Sequence, residues 1–239
     1  MTIEAILLDL DGTIVNTDHL HYQVWQDILQ DYGIEMDKTF YRGHISGRQN
    51  SAIVEDILPQ LTKTAGEKLA EDKEARFREL ALSLKPLAGL LDMLSWIDTH
   101  KLQTAAVTNA PRANAKFMLE VLELTDSFDI VVLGDEAIAA KPDPAPYNLA
   151  LSRLGVSPQE AIAFEDSPSG MIAAVAAGIY SIGITSTHSR EVLLAVGAKM
   201  AIADFAAPQL WQLLDSTVRD RARMAIGGKH RADDRHQEL

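Results

Sequence analysis

Residues 4–17 read EAILLDLDGTIVNT. The apolar run Ala5-Ile6-Leu7-Leu8 has the length and composition of a strand buried on both faces, as the strands of parallel sheets are. It leads straight into two aspartates, Asp9 and Asp11, separated by one residue. Asp-Gly is an ordinary turn pair, so Asp11-Gly12 reads as a solvated turn. The other reading is that something positive lies between the two carboxylates. The residues that choose between these readings lie elsewhere in the chain.

After Asn16 the period changes. Leu20, Val24, Ile28 and Leu29 repeat at helical spacing, with cap oxygens at Asn16 to Asp18 and a stop at Gly33. Two further helices are expected, one over about residues 47–58, stopped by Pro59, and one over about residues 66–84, ended by Pro86. In the second, Leu69, Phe77, Leu80 and Leu84 should face inward. Asp72–Arg76 and Glu74–Arg78 should pair on its outer face in the acid-first i,i+4 order.

Beyond Pro86, helical and strand patterns alternate. LAGLLDMLSWIDTHK precedes TAAVT, RANAKFMLEVLEL precedes DIVVLG, APYNLALSRLG precedes AIAFED, and PSGMIAAVAAG precedes IYSIGI. A weaker strand, AKMAIAD, and a last helix, APQLWQLLD, close the series. This grammar predicts an α/β fold, a Rossmann-like parallel sheet covered on both faces, interrupted after its first strand by a helical segment. The expected division is a core of residues 1–16 and 86–218, a helical cap of residues 17–85, and a charged, solvated tail of residues 219–239.

Composition narrows the function. Hydrophobic residues make up 47% of the 239, enough for a sizeable core. With 22 basic against 34 acidic residues the net charge is −12, which argues against nucleic acid as a partner but not against small anions in one cleft. No cysteine is present, which excludes disulfides, thiolate metal sites and thiol nucleophiles and suits a reducing cytosol. No basic leader precedes the first apolar run, and no run approaches the roughly 18 residues that cross a bilayer. A cytoplasmic protein without a membrane partner is expected; its oligomeric state is not set by the sequence.

In open parallel sheets ligands bind beyond the carboxyl ends of the strands. Asp9 and Asp11 follow the first strand, Thr108 and Asn109 the second, and Glu165 and Asp166 the fourth, with Lys141 in the turn sequence AAKPDP. Each signal is ordinary alone. A single lysine is usually a surface residue. EDSPSG is partly structural, with Ser167 as an N-cap and Pro168 at the first helical position. A calcium loop at Asp9-Asp11 lacks the later oxygen ligands it needs. Their joint occurrence, in order and at strand ends, is what makes a site.

Together these motifs resemble the haloacid dehalogenase superfamily of phosphatases and phosphotransferases, from Ile3 to about Leu214. The insert resembles its C1-type cap, and the closest texture is that of sugar-phosphate and phosphoglycolate phosphatases and β-phosphoglucomutases. The resemblance implies Asp9 as nucleophile, Asp11 as acid and base, and Thr108 and Lys141 holding and neutralising the phosphoryl group. It implies Mg²⁺ held by Asp9, the Asp11 carbonyl and Asp166, with Glu165 behind them as a partner. The substrate would be a small phosphorylated metabolite, met by Asn109, His21 and Arg48, the last placed for a distal anion. Linkers at Val15–Thr17 and Lys85–Pro86 would be hinges.

Dehalogenases of this superfamily lack the second aspartate, so Asp11 speaks against that chemistry. Mutases typically carry a serine and a lysine after the second motif, where this chain reads Asn109-Ala110-Pro111-Arg112. His21, Trp25 and ISGRQNS nevertheless resemble the mutase cap. A phosphatase is the expected reading, and a phosphosugar mutase the alternative. A receiver-like phospho-acceptor is a further reading, opposed by the helical insert and by the Asp9/Asp11 spacing, and a protein that only binds is another, opposed by the presence of every core motif residue.

Overall fold

The computed structural model describes residues 2–46 and 48–217. Six strands form one sheet: β1 (Ala5–Leu8), β2 (Gln103–Thr108), β3 (Ile130–Leu133), β4 (Ala161–Glu165), β5 (Tyr180–Ile184) and β6 (Met200–Ile202). Their order is β3-β2-β1-β4-β5-β6 and every pair is parallel. The chain runs outward from β1 through β2 to β3, then returns to β4 on the other side of β1. The β1/β4 boundary is therefore the switch point, where a crevice opens beyond the strand ends. In register, Leu8 lies beside Phe164, so Asp9 and Glu165 leave the sheet together.

Alternation along β1 explains why the sheet is covered twice. Ala5 and Leu7 join Ala105, Val107, Ala161 and Ala163 on one face, packed against Tyr147, Leu151, Ala173 and Ala174. Those four belong to helices α7 (Ala145–Leu154) and α8 (Pro168–Ala176), numbered in chain order. Ile6 and Leu8 join Ala106, Ile162, Phe164 and Ile182 on the other face. That second cluster continues into the insert through Val24, Trp25, Leu29, Ile53 and Phe77.

The insert contains α1 (Asp18–Asp31), α2 (Lys38–His44), α3 (Asn50–Ile57) and α4 (Lys63–Leu80), followed by α5 (Leu90–Thr99) before β2. Helix α6 (Arg112–Val121) follows β2, α9 (Arg190–Ala195) follows β5, and residues 208–217 are helical. Helices α2 and α9 had no expectation in the sequence reading; both are short. Helix α3 is shorter than residues 47–58, and Gly47 itself lies outside the described residues, as does the expected tail. Helix α4 starts earlier than residue 66 because the Thr62 hydroxyl caps Ala65 N–H at 3.2 Å. It ends at Leu80, which is exposed, rather than at Leu84.

The expected outer pairs on α4 are also corrected. Asp72 pairs with Lys68, Arg76 with Asp27, and Glu74 is buried beside Lys73. The inward stripe of α4 carries Gly66, Lys73, Glu74 and Phe77, so part of it is polar, and apolar periodicity alone assigns it to the wrong face. The two linkers of the insert meet: Val15 bridges Pro86, and Leu87 N–H donates to the Ile14 carbonyl at 2.8 Å.

Candidate active site

The β1/β4 crevice holds Lys141 between two carboxylates. Its ammonium donates to Asp9 Oδ1 at 2.8 Å, to Glu165 Oε1 at 2.5 Å and to the Val107 carbonyl at 2.6 Å. Glu165 Oε1 also accepts from the Tyr147 hydroxyl at 2.7 Å. All four side chains are buried. The Lys141 backbone is fixed by Asn109, whose amide oxygen accepts from Lys141 N–H and whose amide nitrogen donates to the Lys141 carbonyl, both at 3.1 Å. The Lys141–Pro142 peptide is cis.

Burial pushes the Asp9 carboxyl up, Lys141 pulls it back and Glu165 repels it, leaving it at about 7. Burial, with the charges of Asp9 and Glu165, holds Asp166 well above the usual carboxylate range. Burial would lower Lys141, but the two carboxylates outweigh it and hold the ammonium above the ordinary lysine range. Asp9 and Glu165 thus share the Lys141 ammonium, and carboxylate oxygens of Asp9, Glu165 and Asp166 lie within 4.8 Å of one another. An all-oxygen donor set with excess negative charge fits a hard divalent cation. Glu165 accepts from both Lys141 and Tyr147 through Oε1, and Asp9 accepts from Lys141 through Oδ1.

Asp166 is steadied by Thr187, whose hydroxyl donates to Asp166 Oδ2. Gly12, at φ +83, passes so close to Asp166 that any side chain there would collide with its carboxylate. The Ser186 hydroxyl donates to the Gly12 carbonyl and ties the loop after β5 to the loop after β1. Ser167 caps α8, accepting from Gly170 N–H at 3.1 Å.

Asp11 has different company. It accepts from the Thr17 hydroxyl at 2.8 Å and lies 3.4 Å from His21 Nε2. Thr17 sits at the N-cap of α1 without capping it, because its hydroxyl is turned to Asp11. Lys73 Nζ lies 2.8 Å from His21 Nδ1. An ammonium only donates, so Nδ1 accepts and Nε2 carries the proton that faces Asp11. Burial would raise the Asp11 carboxyl, but His21, Thr17 and Lys73 outweigh it and hold it below its ordinary value. Asp9 and Asp11 are thus pushed in opposite directions.

The Lys73 ammonium also donates to Glu74 Oε1 at 2.8 Å. Glu74 accepts from Asn50 at 2.5 Å and, through its other oxygen, from Asn114 on α6. Asn114 Oδ1 in turn accepts from Arg78 at 2.5 Å. This network joins the insert to the β2 side of the sheet and lines one wall of a cavity of about 570 Å³.

Asp9, Asp11, Thr108, Asn109, Lys141, Asp166, His21 and Arg48 all line that cavity, while Glu165 lies beneath it. The Thr108 hydroxyl accepts from Ala110 N–H at 3.0 Å. Arg48 is bound to Asp56 at 2.9 Å and to the His44 carbonyl at 2.7 Å, so an anion reaching it competes with those partners. The sequence reading missed Lys73, Glu74, Asn114, Arg78, Tyr147 and Thr187. Tyr147 hides in an apolar helical stripe, and the others carry no motif.

A family model described as haloacid dehalogenase-like hydrolase matches residues 6–184. The chain belongs to that family. Among its relatives, validoxylamine A 7'-phosphate phosphatase of Streptomyces hygroscopicus subsp. limoneus is 31% identical over 194 residues, 80% of this chain and 89% of the relative. Fructose-1-phosphate phosphatase YqaB of Escherichia coli K12 is 34% identical over 185 residues, 75% and 95% of the two chains. The crystal structure of a putative β-phosphoglucomutase from Thermotoga maritima superposes with a TM-score of 0.69 at 28% identity, covering 90% and 99%. The named relatives include two phosphatases and a putative mutase, and the superposition agrees with the α/β architecture. Among the described residues no helix is long and apolar enough to cross a membrane.

Proposed function

We propose that the chain hydrolyses small phosphomonoesters, sugar phosphates or phosphoglycolate, through a phosphorylated Asp9. The observation that carries this reading is the buried Lys141 ammonium bound to Asp9 at a strand end, with Asp166 beside it and Asp11 in a separate environment. Asp9, Asp166 and the Asp11 carbonyl would hold Mg²⁺, which supplies the positive charge a phosphate dianion needs beside these carboxylates.

In the first half-reaction an Asp9 oxygen attacks phosphorus and the bond to the leaving oxygen breaks. Asp11 gives its proton to that oxygen. The lowered carboxyl keeps Asp11 ionised, the form that accepts a proton in the second half-reaction, and the approach of a dianion raises its proton affinity for the first. In the second half-reaction water attacks phosphorus, its proton passes to Asp11, the bond to Asp9 breaks and phosphate leaves. Thr108 and Lys141 hold the phosphoryl oxygens, so that catalysis is chiefly positioning and charge. His21 orients Asp11, and Asn109 acts through Lys141, whose backbone it clamps. Helices α1–α4 form a cap that closes over the cavity and excludes water, hinged where Val15 meets Pro86.

Release of inorganic phosphate from a panel of phosphorylated metabolites, with and without Mg²⁺, tests the reading; no release from any of them would end it. Likeness to the Thermotoga maritima structure keeps phosphoryl transfer to a second sugar hydroxyl as the alternative. Glucose 6-phosphate formed from β-glucose 1-phosphate would select it.

A further inference from the structure

Among the described residues, four lysine or arginine side chains line the cavity: Arg48, Lys73, Arg78 and Lys141. Three are matched to carboxylates, Arg48 to Asp56, Lys73 to Glu74, and Lys141 to Asp9 and Glu165. Arg78 has none among the described residues; its one hydrogen bond goes to the neutral amide oxygen of Asn114. The nearby Glu74 carboxylate is already neutralised by Lys73 and filled by two asparagine donors. Glu71, also on the cavity wall, is exposed and lies two helical turns away on α4.

We infer that Arg78 is the receptor for a second anionic group on the substrate, a carboxylate or a second phosphate carried by the leaving group. A half-buried guanidinium facing a cavity without a counter-charge keeps its charge incompletely solvated. Four of its five N–H groups remain to be filled, and a carboxylate or phosphate fills two at once. A neutral sugar hydroxyl balances no charge there. Asn114 holds the guanidinium from α6, the helix that follows Thr108, so the receptor shares a wall with the proposed phosphoryl site. Asn114 also bridges to Glu74, which makes the receptor part of the contact between the insert and the sheet. The inference rests on the phosphatase reading and narrows its substrate class to phosphomonoesters with an anionic far end.

Steady-state kinetics in Mg²⁺ on phosphoglycolate and on a hexose monophosphate, for wild type and Arg78→Gln, tests it. The expected result is a rise in KM of about ten-fold or more for phosphoglycolate and less than about two-fold for the hexose monophosphate. An equal loss on both would make Arg78 merely structural and overturn the inference, as would no loss on either. Calorimetric binding of phosphoglycolate to Asp9→Asn protein, with and without Arg78→Gln, gives the same comparison without turnover. If wild type hydrolyses neither compound nor any other of the panel, the phosphatase reading fails on its own terms. The receptor then stands on this binding difference and falls without it.

Discussion

Replacing Asp9 with Asn should make the metal-free protein more stable at pH 8, although it removes the proposed nucleophile. Asp9 is 7% exposed, shares the Lys141 ammonium with Glu165 and lies close to the Asp166 carboxylate. Its carboxyl rises from an ordinary 3.8 to about 7 in the fold, so the unfolded chain releases that proton at lower pH than the folded one. The stability tied to the protonated group is complete below about pH 4, declines as pH rises, and is gone above about pH 7. A rise of about three pH units, at about 1.4 kcal/mol each, makes about 4 kcal/mol. For a domain of this size that is about 10 °C in Tm. Asparagine has no charge to bury, so the difference between variant and wild type should grow from near zero at pH 4 to this size at pH 8. Thermal unfolding followed by tryptophan fluorescence, in chelator, measures it at each pH. Mg²⁺ should then stabilise wild type more than the variant and narrow the gap. A difference that does not vary with pH, or a wild type more stable than Asp9→Asn at pH 8, would refute the crowding argument.

Two further outcomes follow from the cap side of the site. Thr17→Val removes the hydroxyl that helps hold Asp11 below its ordinary value; kcat should fall about ten-fold, and the acidic limb of the kcat profile should move to higher pH. Glu74→Ala strands Lys73 and Asn114 and should cost about 3 kcal/mol in urea unfolding at pH 7. Burial would raise Glu74, but Lys73 and His21 outweigh it and lower the carboxyl. Its contribution is therefore present above about pH 4.5 and lost as pH falls through the lower folded value, so the two proteins should converge in acid.

The sheet was legible because each strand is an apolar run between turn signals, and the order of helices and strands leaves few ways to assemble it. Asp9, Thr108, Lys141 and Asp166 were legible because strand ends in a parallel sheet share one edge, so residues far apart in the chain could be placed together. The wall built by Lys73, Glu74, Asn114 and Arg78 was not. On α4 the spacing of Glu74 and Arg78 suits a surface ion pair, and periodicity does not separate a helix face turned to solvent from one turned to a polar cavity. Asn114 on α6 meets Glu74 only through the packing of α4 against α6, a long-range contact that no local pattern encodes. Arg48 shows the converse. Its sequence context placed it at the cavity, where it stands, but Asp56 already binds it.

The central claim is that Asp9 becomes phosphorylated during turnover. Acid-quenching the enzyme in mid-turnover with Mg²⁺ and a hydrolysed phosphomonoester, then mapping its peptides by mass spectrometry, addresses this directly. The account predicts a phosphoryl group on the peptide bearing Asp9, absent without Mg²⁺, with no phosphate released by Asp9→Asn. Sustained phosphate release by Asp9→Asn, with no modified peptide in wild type, would contradict it.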